Sequence, residues 1–200
     1  HPYGNNTKES IEGTVIDGKK IPGLGSPNAD ESMSVYVIDL STNKVKAKLK
    51  TGMLLGELVE DAEVIGGASP NSIVVGNKFA YVTNATNDNI AVIDYKKGRI
   101  VKHIPITVDR RIDKLRGLLP FGIDLTKDEK YLFVALLGFN AVAKIDLSND
   151  KTLGLIPTGW GTTRVKLSAD NKTIYATSCR GLGAGPNGGK NFKIPVQGSY

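Results

Sequence analysis

Apolar and polar residues alternate along most of this chain in short runs. The runs are rich in Val, Ile, Tyr and Thr and are bounded by Gly, Asn, Asp or Pro, which is the pattern of half-buried β-strands separated by turns. Helical periodicity is weak everywhere outside the segment 107–119. The pattern therefore predicts an all-β protein.

The runs recur in groups of four and in a fixed order. Predicted first strands are 69–76, 119–126 and 162–169, second strands are 78–85, 130–137 and 172–179, third strands are 34–41, 89–96 and 141–148, and fourth strands are 44–52, 99–106 and 151–159. Phe133 and Tyr175 hold the same register 42 residues apart, and a repeat of about 40–45 residues is typical of a propeller blade. The sequence therefore predicts a β-propeller built from four-stranded antiparallel blades.

The strand order makes the chain a single propeller segment of about three blades. Residues 1–52 are predicted to form a partial blade with an N-terminal loop. Residues 69–106 and 119–159 are predicted to form one complete blade each, and residues 162–200 a partial blade with a glycine-rich tail. An arc of blades on its own would expose unpaired strand edges, which favour aggregation. We therefore expect the remaining blades to come from a longer polypeptide or from another chain that completes the ring. The alternative is that the tails 1–20 and 188–200 supply the missing strands.

The lengths of the connections differ between the two ends of the predicted blades. Every turn from a first to a second strand, and from a third to a fourth strand, is short. The long segments all belong to the opposite end, here called the long-loop face: the N-terminal segment through Met33, 53–68, 107–119 and 180–200. Long loops on a rigid repeat scaffold are where binding sites are usually found. We therefore expect the partner site on this face.

Candidate binding residues lie in these long connections. The insertion 107–119 carries a cationic group that would suit an anion or an acidic partner: Arg110, Arg111, Lys114 and Arg116. The alternative is a solvated loop tied to the core by its leucines. Trp160 lies on a blade-to-blade connection, where it would anchor a partner or, as we favour, fill the gap between two blades.

Further candidates on the long-loop face are acidic or polar: Glu57, Glu60, Asp61 and Asn187. The first three fall in 53–68, whose two apolar runs predict an additional hairpin. A protein partner or a ligand is therefore expected at this end of the blades.

The charge balance adds little to this picture. The formal net charge is +6, from 26 Lys and Arg against 20 Asp and Glu, but the basic residues are scattered apart from the group in 107–119. Interleaved aromatic residues for base stacking are absent, so nucleic-acid binding is not expected. No apolar stretch approaches the roughly 18 residues that would predict a membrane-spanning helix.

Catalytic and metal-binding patterns are weak in this sequence. Cys179 is its one cysteine and is predicted to be a small buried side chain at a strand end rather than a nucleophile. His1 and His103 are the only histidines, which is too few to assemble a metal or catalytic triad from the sequence. The segment 183–188 matches G-x-G-x-x-G, but no helix is predicted after it, so it is interpreted as a surface turn. No catalytic residue, metal site or cofactor is predicted.

Three aspartates recur at one register at the end of the third strands: Asp39, Asp94 and Asp146. Such a series could form a ring of carboxylates. We favour the interpretation that each caps its strand by accepting hydrogen bonds from the following turn.

The sequence also resembles a known family. Tyr81-Val82-Thr83-Asn84 is the motif that names the YVTN-repeat family of β-propellers. The stretch 156–189 resembles, more narrowly, propellers joined to an alkaline-phosphatase-like phosphoesterase domain in bacterial secreted proteins. The resemblance runs over nearly the whole chain and implies a seven-bladed ring, although the last repeat has Ala176-Thr177-Ser178-Cys179 in place of the motif.

These observations predict a non-catalytic propeller segment that scaffolds or binds. The resemblance implies a secreted, periplasmic or surface-located bacterial protein whose phosphoesterase-like domain lies outside this sequence. The alternative is the propeller part of a multi-subunit redox enzyme, as in amine-oxidising or hydrazine-forming complexes. The sequence has no C-x-x-C-H motif, so in that case haem would be carried by other chains.

Overall fold

A computed structural model describes residues 14–21, 32–54, 57–59, 62–63, 67–112 and 115–180. Within these ranges the regular elements are short β-strands, apart from two 3-10 turns at Ala85–Asn87 and Arg110–Ile112. The prediction of an all-β chain is confirmed. No helix in the described part is long and apolar enough to cross a membrane.

Two complete four-stranded antiparallel sheets form the middle of the described structure. Blade II contains β7 (Pro70–Val75), β8 (Ala80–Asn84), β9 (Asn89–Asp94) and β10 (Arg99–Pro105), and blade III contains β11 (Pro120–Leu125), β12 (Tyr131–Leu136), β13 (Ala141–Asp146) and β14 (Lys151–Pro157). In both sheets the strands lie side by side in chain order. This is the up-and-down blade predicted from the repeat.

A two-stranded sheet lies on each side of this pair. Half-blade I contains β3 (Ser34–Asp39) and β4 (Lys44–Lys50), which match the third and fourth strands of a blade, and half-blade IV contains β15 (Thr162–Leu167) and β16 (Ile174–Ser178), which match the first and second strands. The ring is not closed within the described residues. The predicted propeller fold of four-stranded blades is confirmed, whereas the seven-blade total stays a prediction.

The remaining described strands form two small hairpins. They are β1 (Thr14–Ile16) with β2 (Lys19–Ile21), and β5 (Leu58–Val59) with β6 (Ala62–Glu63). The second pair confirms the additional hairpin predicted within 53–68.

Observed strands are one to three residues shorter than predicted, because the ends of the apolar runs enter turns. The predicted second strand 78–85, for example, begins only at Ala80. The preceding turn is closed by a hydrogen bond from the amide of Gly76 to the carbonyl of Phe79 at 2.9 Å.

The core consists of apolar layers between neighbouring sheets. Between blades II and III, Tyr81, Ile90 and Val92 pack into one cluster with Ile123 and Leu132. Between half-blade I and blade II the cluster is built around Leu49, Ala80, Val82, Ala91 and Ile93, and between blade III and half-blade IV it is built around Phe133, Ala135, Val142, Val165 and Leu167. Alternate residues of β8, β9, β12 and β13 therefore contribute to two successive layers, as the period-two pattern requires.

Polar contacts join strands of successive sheets. The buried carboxylate of Asp124 accepts hydrogen bonds from the amide of Leu167 at 2.7 Å and from Nζ of Lys166 at 3.0 Å. Across the previous interface, the hydroxyl of Thr83 donates to the carbonyl of Phe121 at 2.7 Å. These bonds satisfy polar groups that blade packing removes from water.

The three aspartates at the ends of the third strands act as caps. Oδ1 of Asp39 accepts from the amide of Ser41 at 2.9 Å, Oδ1 of Asp94 accepts from the amide of Lys97 at 3.0 Å, and Oδ1 of Asp146 accepts from the amide of Ser148 at 2.8 Å. Hydrogen bonds from the serines lower the pKa of Asp39 and of Asp146. The capping interpretation is confirmed, and these carboxylates therefore act within their own turns.

Candidate functional site on the long-loop face

The long-loop face is built where the second strands end and the third strands begin. Five described connections or parts of them meet there: 51–69, 85–88, 106–119, 137–140 and 158–161. Because the strands of each blade alternate in direction, these connections share one end of the sheets.

The residue directly before each third strand has a positive φ. These residues are Met33 (φ 49°), Asp88 (φ 48°) and Asn140 (φ 55°). The carbonyl of each accepts a hydrogen bond from the residue that follows the fourth strand of the same sheet: Thr51 to Met33 at 3.0 Å, Ile106 to Asp88 at 3.0 Å and Thr158 to Asn140 at 2.9 Å. The same link therefore starts every long connection at the same place on its sheet.

The side chains of Asp88 and Asn140 also accept hydrogen bonds from the connection that leads to the next sheet. The carboxylate of Asp88 accepts from the amides of Gly117 at 2.7 Å and Leu119 at 2.9 Å, and Oδ1 of Asn140 accepts from the amide of Gly161 at 2.8 Å. Leu119 and Gly161 directly precede the first strands of the following sheets. Burial raises the pKa of Asp88, while the two amides and the charge of Arg116 act against that rise.

The motif residue Asn84 belongs to a buried polar network. Its Oδ1 accepts from the hydroxyl of Thr51 at 3.0 Å, and its Nδ2 donates to Oδ1 of Asn89 at 2.8 Å. All three residues are buried. The network joins the end of half-blade I to blade II, so the described role of this motif asparagine is to hold two sheets together.

His103 lies beside the residues that follow the last strand of half-blade I. Its Nε2 accepts a hydrogen bond from the amide of Gly52 at 3.1 Å, and the amide of Met53 donates to Oδ1 of Asn87 at 2.8 Å. Gly52 has φ +72°, and a Cβ on it would lie 2.3 Å from Cβ of Ala68. Burial of part of the imidazole lowers the pKa of His103, which keeps Nε2 free to accept.

The predicted cationic group is only partly described, and its described members have acidic neighbours. Arg111 donates from Nε and Nη2 to its own neighbour Asp109, at 2.8 Å each, and these bonds lower the pKa of Asp109 to about 2. The charge of Arg116 acts on Asp88. Arg110 lies in the 3-10 turn, but its side chain and the whole of Lys114 lie outside the described residues. Arg111 is therefore paired with a carboxylate of this chain, whereas the exposed Arg116 acts on Asp88 through its charge.

Trp160 lies in the connection from blade III to half-blade IV. The guanidinium carbon of Arg180 is 5.5 Å from the centre of its ring, within the range of a cation–π contact, and the amide of Arg180 donates to the carbonyl of Trp160 at 3.0 Å. The half-buried indole is thus placed on the long-loop face with a cation of its own chain against it.

The prediction that Cys179 is buried is wrong. The thiol follows directly after β16 and is exposed, because no further strand of the described chain lies against that edge of half-blade IV. A small residue at a strand end is buried only when a neighbouring sheet covers it.

Among the acidic candidates, only Glu57 lies within the described residues. Its Oε2 accepts a hydrogen bond from the amide of Leu54 at 2.9 Å. Glu60, Asp61 and Asn187 lie outside the described residues. In the part of the chain that the structure describes, no group of three or more His, Cys, Asp or Glu side chains could hold a metal ion.

The structure adds residues that the sequence did not single out. Asp88 and Asn140 fix the long connections, and Thr51 completes the network of Asn84. Asp88 and Asn140 could have been found by their position, because each is a polar residue that tolerates a positive φ and directly precedes a third strand.

No family model matches the chain, and no curated protein matches it. Solved structures do match. They include hydrazine synthase of Kuenenia stuttgartiensis (TM-score 0.53, 27% identity, 72% of this chain and 35% of that chain). A second is a functionally unknown protein from Desulfotomaculum acetoxidans DSM 771 (TM-score 0.50, 16% identity, 72% of this chain and 41% of that chain). A third is virginiamycin B lyase from Staphylococcus aureus (TM-score 0.50, 17% identity, 77% of this chain and 44% of that chain).

The similarities support a propeller-type fold for this chain. The aligned part spans less than half the length of each of these proteins. The two similarities at 16% and 17% identity show the fold alone.

Proposed function

We propose that this chain is a non-catalytic propeller segment that scaffolds or binds, and that its long-loop face meets a partner domain, a protein or a ligand. The observation that carries the proposal is the asymmetry of the connections. All of the long described connections share one end of the sheets, whereas the opposite end has only short turns among the described residues.

The anchoring of these connections supports a binding role. The side chains of Asp88 and Asn140 hold two connections at the points where they enter the next sheet. A loop that is already ordered loses less conformational entropy when a partner binds, so more of the contact energy appears as affinity. Trp160 offers aromatic surface of the kind that is enriched in interface hot spots.

Site-specific photo-crosslinking in the producing cells tests the proposal. A benzophenone amino acid would replace Phe139, an exposed residue in the 137–140 connection of the long-loop face. The matched control replaces Leu40, which is more exposed and lies in the short turn between β3 and β4. We expect adducts from position 139 only. Equal adducts from both positions, or adducts from position 40 alone, would contradict the proposal.

The absence of catalysis is a separate part of the proposal. The purified chain is expected to leave a generic aryl phosphate unhydrolysed, because a phosphoesterase domain would lie elsewhere in the parent protein. Turnover by the chain alone would contradict this. The secreted, periplasmic or surface location rests on the family resemblance, and fractionation of the producing cells tests it.

A second candidate is the propeller part of a multi-subunit redox enzyme complex; hydrazine synthase is one of the proteins whose structure this chain resembles. Cofactors would then be held by other chains. A visible absorption spectrum of the purified native complex separates the two candidates, because haem or quinone bands would favour the second.

A further inference from the structure

Blade II has a histidine at a fourth-strand position where blade III has a leucine. His103 of β10 pairs with Ala91 of β9, and Leu155 of β14 pairs with Ala143 of β13 at the same register of the next blade. Leu155 packs against the apolar cluster between blades II and III. Beside half-blade I, the same position therefore offers a ring nitrogen in place of an aliphatic side chain.

This ring nitrogen acts as a hydrogen-bond acceptor. Nε2 of His103 accepts from the amide of Gly52 at 3.1 Å. An imidazole nitrogen accepts only when it carries no proton, so the neutral ring must hold its proton on Nδ1. Protonation of Nε2 would place two N–H groups against each other. The hydrogen bond to Gly52 therefore exists only while His103 is neutral.

Gly52 lies between a fixed residue and the rest of the connection. The preceding Thr51 is held by the bond from its hydroxyl to Oδ1 of Asn84 at 3.0 Å, and the following Met53 by the bond from its amide to Oδ1 of Asn87 at 2.8 Å. Gly52 itself has φ +72°, and glycine exchanges positive for negative φ at little steric cost. Of these three bonds, the one to the histidine is the only one whose acceptor titrates near neutral pH.

The carboxylate of Glu57 provides a second partner for the ring. Burial lowers the pKa of His103, and the negative charge of Glu57 acts against this shift. In the present arrangement Oε2 of Glu57 accepts from the amide of Leu54 at 2.9 Å. The other charged groups on neighbouring elements have partners elsewhere, namely Lys50 on the carbonyl of Ser32, Lys102 on Asp150, and Asp88 on the amides of Gly117 and Leu119. Glu57 is therefore the charged group to which a protonated His103 can turn.

We propose that His103 is a pH-operated anchor for the connection that begins at Gly52 on the long-loop face. The neutral ring holds the amide of Gly52, whereas the protonated ring releases this amide and pairs with the carboxylate of Glu57. Release takes place below the ordinary histidine pKa of about 6.5, because burial lowers the value in the folded chain. The device belongs to this chain alone and does not rest on the partner proposed for the long-loop face.

A titration of the imidazole by ¹⁵N NMR on the full chain tests the neutral state. The neutral ring is expected to carry its proton on Nδ1, and its pKa is expected to lie below about 6.5. A neutral ring protonated on Nε2 would overturn the proposal, since that nitrogen could not accept from Gly52.

Amide exchange measured residue by residue between pH 7.5 and pH 5 tests the release. The protection factor, which corrects for the pH dependence of chemical exchange, is the quantity to compare. At Gly52 it is expected to fall about tenfold for each pH unit below the folded-state pKa of His103, because the neutral fraction of the ring falls by that factor. The amide of Thr51 donates to the carbonyl of Met33 and serves as the internal reference. Equal trends at the two amides would overturn the proposal.

Three variants separate the anchor from its second partner. H103Q keeps an acceptor that does not titrate, so the protection of Gly52 is expected to become independent of pH. E57Q removes the carboxylate and is expected to lower the pKa of His103. D128N removes an exposed carboxylate in the short turn between β11 and β12 and is the control, expected to leave that pKa unchanged.

An E57Q variant with the wild-type titration of His103 would overturn the exchange of partners. Protection of Gly52 that still falls with pH in H103Q would show that another group controls it and would overturn the anchor. The titration and the exchange measurement use the wild-type chain, so they decide the proposal even where a variant does not fold.

Discussion

Asp88 and Asn140 occupy one position in successive blades and hold the next connection with different side chains. The carboxylate of Asp88 accepts hydrogen bonds from two backbone amides, whereas the neutral amide oxygen of Asn140 accepts one. Burial disfavours the charged form of Asp88, which the raised pKa reflects. The two side chains therefore share an acceptor oxygen for the next connection, and Asp88 uses both of its carboxylate oxygens.

This distinction predicts the effect of substitutions at Asp88. D88A leaves two amides without their acceptor and is expected to lower the free energy of unfolding by about 2 kcal/mol. D88N keeps one acceptor oxygen but places an NH2 donor against the second backbone amide, so it is expected to lower the free energy of unfolding by about 1 kcal/mol, less than D88A. Urea unfolding measures both. A D88N variant as unstable as D88A would show that one acceptor oxygen is not enough at this position.

His103 gives the protein a pH dependence of defined sign. Its folded-state pKa is lowered by burial, so the unfolded chain takes up the proton first as the pH falls below the ordinary value of about 6.5. The stability linked to His103 is therefore present above that value and is lost as the pH falls towards the folded-state pKa. Protonation also removes the acceptor for the amide of Gly52.

Thermal unfolding of H103Q checks this effect. Gln offers an amide oxygen as an acceptor but does not titrate, so the decrease in Tm between pH 7 and pH 5 is expected to be smaller than in the wild type. The carboxylates with lowered pKa, such as Asp109 and Asp146, lose their contribution only below their ordinary pKa of about 4. Equal slopes for the two proteins would contradict the assignment.

At the scale of the strands, Gly122 determines how closely two blades approach. A Cβ on this residue of β11 would lie 2.7 Å from Cα of Arg164 and 2.7 Å from the carbonyl oxygen of Thr163. Both contacts are to the backbone of β15, which cannot rotate away. Separation of these strands would also lengthen the hydrogen bond from the amide of Leu167 to Asp124.

G122A is therefore expected to destabilise the fold by about 2 kcal/mol. G154A is the matched control, since this glycine lies in β14 and a Cβ added to it would meet no atom within 4 Å. The control is expected to be neutral or to stabilise by about 0.5 kcal/mol. Chemical denaturation of both variants provides the measurement, and a neutral G122A would show that β15 can move away at little cost.

For the whole molecule, the layered core predicts an uneven distribution of stability. Strands β8, β9, β12 and β13 contribute to apolar layers on both faces, whereas β3 and β16 each have one edge that no other described strand pairs with. Amide exchange at low protein concentration is therefore expected to be slowest in the first four strands and faster in β3 and β16.

Hydrogen exchange followed by mass spectrometry of the peptides measures this gradient. Equal protection of β3 and β8 would contradict it.

The strands and their order could be predicted from the sequence because alternation is a local property. A residue such as Ile93 or Ile145 is apolar because its side of the strand faces another sheet, and that requirement repeats with each blade. The capping role of Asp146 was predictable for the same reason, since its partner Ser148 is two residues away. Arg111 was assigned to a partner surface, and its pairing with Asp109 emerged only when the turn was formed.

The sequence by itself therefore determined the blade type, the order of its strands and the end of the sheets at which the long connections lie. The tertiary structure decided which distant groups meet: Asp88 with Leu119, Thr51 with Asn84, and His103 with Gly52. It also decided that Cys179 is exposed although its position at a strand end predicts burial. The physical reason is that alternation specifies which side of a strand is apolar, whereas only the approach of a neighbouring sheet determines whether that side is buried.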